Sequence, residues 1–284
     1  MGRIMPGPNL LLCGAQKAGT TSMHYYLDEH PDIFAVREKE IHFFDNDERY
    51  AKGIEWYESR FKNAGNQKYR LESTPIYLYL PKAAERIHEH YPDVKLLFML
   101  RNPVKRAWSH YLMEVRAGRE TLSFYDALQA EDKRLKNGEY ERKYFSYKDR
   151  GLYLTQIKRY LALFPRENIY IMILEDLKKN PADEMKKLFR FLEIDDAIEL
   201  KRIYKKPKYE GTVPINLKFN YAFKNSPIGK VTFFRKAFNR LFTKRSGIEI
   251  PPEAEKFLSD FFAEPNKELS EFLNLQYALW QKTE

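Results

Sequence analysis

The chain of 284 residues has a single cysteine, Cys13. An intrachain disulfide is therefore excluded, and so is a cluster of thiolate metal ligands; one cysteine in an apolar run fits a reducing compartment. Nowhere does an apolar run reach the roughly 18 residues that a membrane-spanning helix needs. The opening M-G-R-I-M-P-G-P lacks the apolar region of a signal peptide. No internal repeat or low-complexity tract occurs. Acidic residues are in deficit, 40 against 49 Lys and Arg, for a net charge of +9. That excess favours an anionic partner: nucleotide, polyanionic glycan, nucleic acid or acidic lipid. It does not choose among them. Aromatic residues are plentiful at 15%, which reads first as a thick core and second as an aromatic cleft.

The most informative stretch is L-L-L-C-G-A-Q-K-A-G-T-T-S, Leu10 to Ser22. Leu10 to Cys13 reads as a buried strand and Gly14 to Gly19 as a tight loop. Thr20 onward reads as a helix start, with Thr20, Thr21 and Ser22 as capping candidates. Strand, glycine loop and helix N-terminus together form an anion site, because the first helical N–H groups point outward and the helix dipole adds positive charge. The loop nearly matches the phosphate pattern G-x-x-x-x-G-K-[ST]. Thr20 stands at the lysine position, and the lysine, Lys17, lies inside the loop two residues before Gly19. That displacement argues against a magnesium-dependent kinase, which needs its lysine at position 20. The plain alternative is a loop that only joins strand to helix, with Lys17 in water.

Further along, K-E-I-H-F-F-D gathers Glu38, Lys39, Glu40 and His42 against the apolar pair Phe43-Phe44. Charged groups beside an apolar wall are where pKa values move; the alternative is a loop anchored by its phenylalanines. Val94 to Leu100 is the clearest strand, apolar enough to be covered on both faces. Arg101-Asn102-Pro103 follows it, then a helix carrying Ser109 and His110. Arg101 and Ser109 are eight residues apart and can meet one ligand beyond a strand end, where open α/β sheets bind. Helices are expected over 53–61, 82–90, 122–136 (a surface helix), 153–164 and 181–192, and strands over 68–71 and 168–174. Residues 136–148 read as an exposed excursion, 201–247 as irregular with two basic clusters, and 253–275 as a helical pair broken before Pro265. Strands alternating with helices predict an α/β domain with a central parallel sheet flanked by helices.

Three motifs in order resemble the PAPS-dependent sulfotransferases, especially the heparan-sulfate type: G-A-Q-K-A-G-T-T-S, K-E-I-H-F-F-D with K-G-I-E-W-Y, and R-N-P-V-K-R-A-W-S-H-Y. The likeness spans roughly Leu10 to Trp280. It implies a single P-loop-type domain over 1–284, with 1–8 as an extension and 201–250 closing the cofactor site. It implies that Gly14, Gln16, Lys17, Ala18, Gly19, Thr20, Thr21 and Ser22 hold the 5′-phosphosulfate of 3′-phosphoadenosine-5′-phosphosulfate (PAPS), and Arg101 and Ser109 its 3′-phosphate. Lys244, Arg245, Ser246 and Gly247 resemble the late basic loop over the cofactor. The chain departs from glycan-modifying members in two ways: Ser73 stands where they carry lysine, and the disulfide of their late loop is impossible.

The resemblance further implies in-line sulfuryl transfer to an acceptor hydroxyl or amine on a small molecule or glycan, without a metal. Glu40 is the expected base, its pKa raised by burial beside Phe43 and Phe44; His42 is the competing base, and His24 and His110 are weaker ones. Lys17 is expected to stabilise charge on the leaving phosphate. No nucleic-acid partner and no stable membrane insertion are expected. The expected compartment is the cytoplasm, or the Golgi lumen if an N-terminal anchor has been trimmed. The rival readings are a P-loop kinase and a non-enzymatic polyanion binder.

Overall fold

A computed structural model describes residues 7–202, 212–245 and 249–280. The chain divides into two compact units, one from residues 1–101 and 153–207, the other from 102–152 and 208–284.

The first unit holds a five-stranded sheet of β1 (Leu10–Gly14), β2 (Ile33–Ala35), β3 (Tyr69–Ser73), β4 (Lys95–Leu100) and β5 (Ile169–Ile173), in the order β2-β3-β1-β4-β5. Every pairing is parallel. The apolar runs explain why β1 and β4 lie inside: Leu10 to Cys13 and Leu96 to Leu100 are all fully buried. Parallel strands need crossover helices, and these cover the faces. They are α1 (Thr20–Leu27), the short α2 (Asp47–Tyr50) and α3 (Ile54–Glu58), α4 (Pro81–His90), then α8 (Tyr153–Leu161), α9 (Leu174–Lys179) and α10 (Pro181–Phe191). β1 pairs with β3 on one side and β4 on the other, and its register against β4 shifts between Leu12 and Gly14. The chain therefore leaves the sheet at Gly14, beyond a strand's carboxyl end, where such sheets bind ligands. The expected α/β class with a helix-flanked parallel sheet is what this unit has.

The second unit is mainly helical: α5 (Pro103–Ala117), α6 (Phe124–Arg134), α7 (Glu139–Phe145), α11 (Leu217–Asn225), α12 (Pro227–Lys230), α13 (Thr232–Phe242) and α14 (Pro252–Phe272), with an antiparallel pair β6 (Thr212–Pro214) and β7 (Thr243–Arg245). Its core joins Ala107, Tyr111, Phe124, Leu128, Tyr147, Leu258 and Phe262.

Three expectations fail here. The surface helix over 122–136 is found as α6, with Phe124, Ala127, Leu128 and Glu131 turned inward, but the irregular stretch over 201–247 contains α11, α12 and α13. The exposed excursion over 136–148 instead contains α7 and ends in buried Phe145, Ser146, Tyr147 and Lys148. Its polar groups go inside because they are satisfied there: buried Glu131 accepts the Lys148 N–H at 2.8 Å and the Asp149 N–H at 2.8 Å, and buried Glu120 accepts the Tyr147 hydroxyl at 2.9 Å. The terminal pair is one helix, α14, with Pro265 inside it. Proline costs a helix interior about 3 kcal/mol, but the stripe Ala254, Leu258, Phe262 and Leu269 is buried along its whole length, and that burial outweighs the break.

Candidate active site

The turn after β1 is built from close approaches. A Cβ on Gly14 would lie 2.7 Å from Leu78 Cβ and 2.9 Å from the Pro75 carbonyl, so only glycine fits. The Ala15 N–H donates to the Met99 carbonyl at 2.6 Å, and the Ala18 N–H to the Ala15 carbonyl at 3.0 Å. Gln16 and Ala18 complete this turn, Ala18 fully buried. Gly19 has φ +88° and is itself the N-cap of α1, with no side chain capping the helix. The capping role expected of Thr20, Thr21 and Ser22 is thus a correction: the three occupy the first turn, because the left-handed cap position goes to glycine. Uncapped N–H groups at a helix start, beside a lysine, suit an anion. Lys17 itself has φ +70°. Arg101 follows β4, donates from Nη1 to the Lys17 carbonyl at 2.9 Å, and is fixed in turn by the Tyr153 hydroxyl on its own carbonyl at 2.8 Å.

The second wall is the segment around Glu40, suspended from the end of β3. The Glu40 N–H donates to the Ser73 carbonyl at 3.1 Å, the His42 N–H to Thr74 Oγ1 at 3.4 Å and the Phe43 N–H to the Tyr77 hydroxyl at 3.0 Å. Phe43 and Phe44 are fully buried, Phe43 stacked on Tyr57 with centroids 4.6 Å apart. They anchor the segment, leaving Glu40 exposed while Lys39 and His42 are partly covered. Glu40 and His42 have φ +59° and +53°. Non-glycine residues held there are strained, and such strain concentrates at functional sites.

These side chains form a chain of contacts. Both oxygens of buried Asp45 lie 3.0 Å from His42 Nδ1. His42 Nε2 is 3.7 Å from Glu40 Oε2, and Lys39 Nζ is 3.7 Å from Glu40 Oε1. Lys39 Nζ also donates to Thr21 Oγ1, tying this wall to α1. Asp45 fixes the imidazole so that Nε2 addresses Glu40. The Glu40 carboxyl sits below its ordinary range, held there above all by the His42 ring, with burial opposing and Lys39 and Lys17 reinforcing. The expectation of a raised pKa therefore fails. The Glu40 side chain is 45% exposed, the phenylalanines point away from it, and cations surround it.

Burial acts instead on Glu72, which is wholly enclosed on β3 and pushed up to about 7. It accepts the Thr74 hydroxyl and, at 3.4 Å, the Tyr57 hydroxyl. His24 is buried, with Nδ1 2.8 Å from Ser73 Oγ; burial first, then Lys39, lowers its pKa to about 4, so it is neutral at neutral pH. The sequence alone assigns no role to Lys39, Asp45, Glu72 or Thr74. Asp45 had a signal, an acid three residues after a histidine; Glu72 had none, since its character comes from enclosure.

The remaining candidates lie in the second unit. Ser109 is half-buried on α5, two turns in from its Asn102 cap. His110, on the same helix, is buried with Nε2 3.5 Å from Glu114 Oε1. Lys244 and Arg245 belong to β7, paired with Val213 and Thr212. Ser246 and Gly247 lie outside the described residues.

A glycine loop leaving the central strand of a parallel sheet and opening a helix, with a cation inside the loop, defines an α/β protein of the phosphate-loop class. The chain belongs to the sulfotransferase domain family, whose model matches residues 7–246. It is 31% identical over 201 residues to heparan sulfate glucosamine 3-O-sulfotransferase 5 of Mus musculus, covering 69% of this chain and 56% of that protein. The chain thus spans little more than half the length of that relative. A sulfotransferase from Alicyclobacillus acidocaldarius superposes with a TM-score of 0.72 at 27% identity, covering 96% of this chain and 98% of that one. A mouse sulfotransferase in complex with PAP shares the fold, with a TM-score of 0.52 at 18% identity over 94% of this chain and 87% of that one.

Proposed function

We propose that this protein transfers a sulfuryl group from PAPS to an acceptor hydroxyl or amine. The observation that carries the reading is the approach of two walls: the loop with Lys17 and the free N–H end of α1, and the segment with Glu40, joined through Lys39 and Thr21. The uncapped start of α1 suits a phosphate-like group, with Lys17 and Arg101 beside it to supply positive charge. The donor supplies the sulfuryl group and leaves as the bisphosphate. Glu40 takes the acceptor proton as the new bond to sulfur forms; it is ionised at neutral pH and needs no activation. His42, held by Asp45, orients Glu40 and shares that proton. As the bond from sulfur to the bridging phosphate oxygen breaks, the electron pair stays on that oxygen. Lys17 and the first N–H groups of α1 stabilise it, donors typically worth about 3–4 kcal/mol each in a transition state.

Gly14, Gln16, Lys17, Ala18, Gly19, Thr20, Thr21 and Ser22 are assigned to the 5′ end of the donor and Arg101 to its 3′-phosphate. The assignment of Ser109 to that phosphate, and of Lys244 to Gly247 to the cofactor, rests on sequence motifs alone. The relative named for heparan sulfate glucosamine supports a glycan acceptor; Ser73, at the position of the relatives' lysine, favours a smaller or less acidic one. The compartment follows the acceptor, cytoplasm for a metabolite and Golgi lumen for a glycan. Among the described residues no helix is long and apolar enough to cross a membrane. The test is transfer of labelled sulfate from PAPS across glycan, phenol, alcohol and amine acceptors, in EDTA. Product with at least one acceptor supports the reading. No turnover with any acceptor, together with magnesium-dependent ATP turnover, contradicts it.

A further inference from the structure

The segment between Glu210 and Glu249 contains eight Lys and Arg and no Asp or Glu. The same segment carries nine of the thirteen exposed large apolar side chains among the described residues. Phe233 is 73% exposed, Leu241 69%, Ile215 65% and Ile228 57%. On α13, Phe233, Ala237 and Leu241 recur every fourth residue and so line one face, with exposed Arg240 at its edge. The opposite face is already used. Phe238 is buried, stacks on Phe223 with centroids 3.9 Å apart and touches Phe219 and Phe242. α11 is pinned to α5 by Asn220 on the Val115 carbonyl at 2.7 Å, and by Asn225 on the Gly118 carbonyl at 3.0 Å. The outer apolar row therefore adds nothing to the unit's own core.

We propose that the exposed face of α13, with Ile228 and Val231 beside it and Lys230 and Arg240 around it, docks peripherally on an anionic lipid surface. A soluble polyanion would explain the cations and leave a row of phenylalanine and leucine in water. A lipid headgroup layer takes both, apolar side chains reaching the acyl boundary while cations meet lipid phosphates. The complementarity is of charge and of polarity together, and it spans one continuous helical hairpin.

The test is co-sedimentation of the full chain with vesicles of phosphatidylcholine alone and of phosphatidylcholine with phosphatidylglycerol. Binding is expected to the anionic vesicles, at least tenfold tighter than to neutral ones, and to weaken with salt. Phe233→Ser with Leu241→Ser should weaken it at least tenfold, with unchanged melting and unchanged adenosine 3′,5′-bisphosphate binding. Lys230→Glu with Arg240→Glu, at exposed positions, should do the same and serves if the first pair does not fold. Three results would overturn the proposal: no vesicle binding, binding that survives loss of the apolar pair, or an apolar pair that abolishes self-association of the chain instead.

Discussion

Glu40 and His42 share a backbone conformation that costs them stability, and Lys17 across from them shares it too. In the proposed mechanism these three residues carry the chemistry. Lys17→Ala and Glu40→Gln should each lower turnover at least about tenfold, a barrier change above roughly 1.4 kcal/mol; a near-normal rate in either variant removes that residue from the mechanism. Because Glu40 is held below its usual range, activity should persist as pH falls toward the ordinary carboxylate range. Glu72 works in the opposite sense. Its folded-state value is about 7 against an ordinary 4.5, so between those values the folded protein holds a proton that the unfolded chain has released. Stability from this group is complete below the lower value and is lost as pH rises through the higher one. Glu72→Gln should therefore gain melting temperature relative to the parent between about pH 5 and about pH 8; a difference that does not change with pH would contradict the enclosure argument. Lys17, Glu40 and His42 were legible in the sequence because they sit in short motifs. Glu72 and the direction of the Glu40 shift were not, because both depend on which neighbours the fold brings within reach.

At the scale of elements, the glycine loop and α1 work as one piece. Gly19→Ala puts a side chain at φ +88° and a Cβ 3.0 Å from Leu174 Cδ1. It should cost about 1–2 kcal/mol in denaturant unfolding and weaken nucleotide binding as well. Unchanged stability would mean that the turn relaxes freely and does not preset the N–H groups. β1, β4 and β5 could be read from continuous apolar runs, which have no other use in a chain of this size. α14 could not, since a local rule about proline gives way to a long buried stripe. α7 and the helices between 217 and 242 were hidden by their charge and aromatic content, which reads as a loop until packing assigns each side chain a face.

For the whole molecule, the excess of positive charge divides between two uses. Lys17 and Arg101 are proposed to address a nucleotide, and the acid-free segment of the second unit is proposed to address an anionic lipid surface. The family follows from the match over residues 7–246; the acceptor does not, because the chain departs from the glycan-modifying members at Ser73, a buried residue held against His24. The central claim concerns the donor and has one direct measurement. Calorimetric titration of adenosine 3′,5′-bisphosphate in EDTA should give one-to-one binding, weakened at least about tenfold by Lys17→Ala and by Arg101→Ala. Absence of heat, or affinity equal to the parent's in both variants, would contradict it.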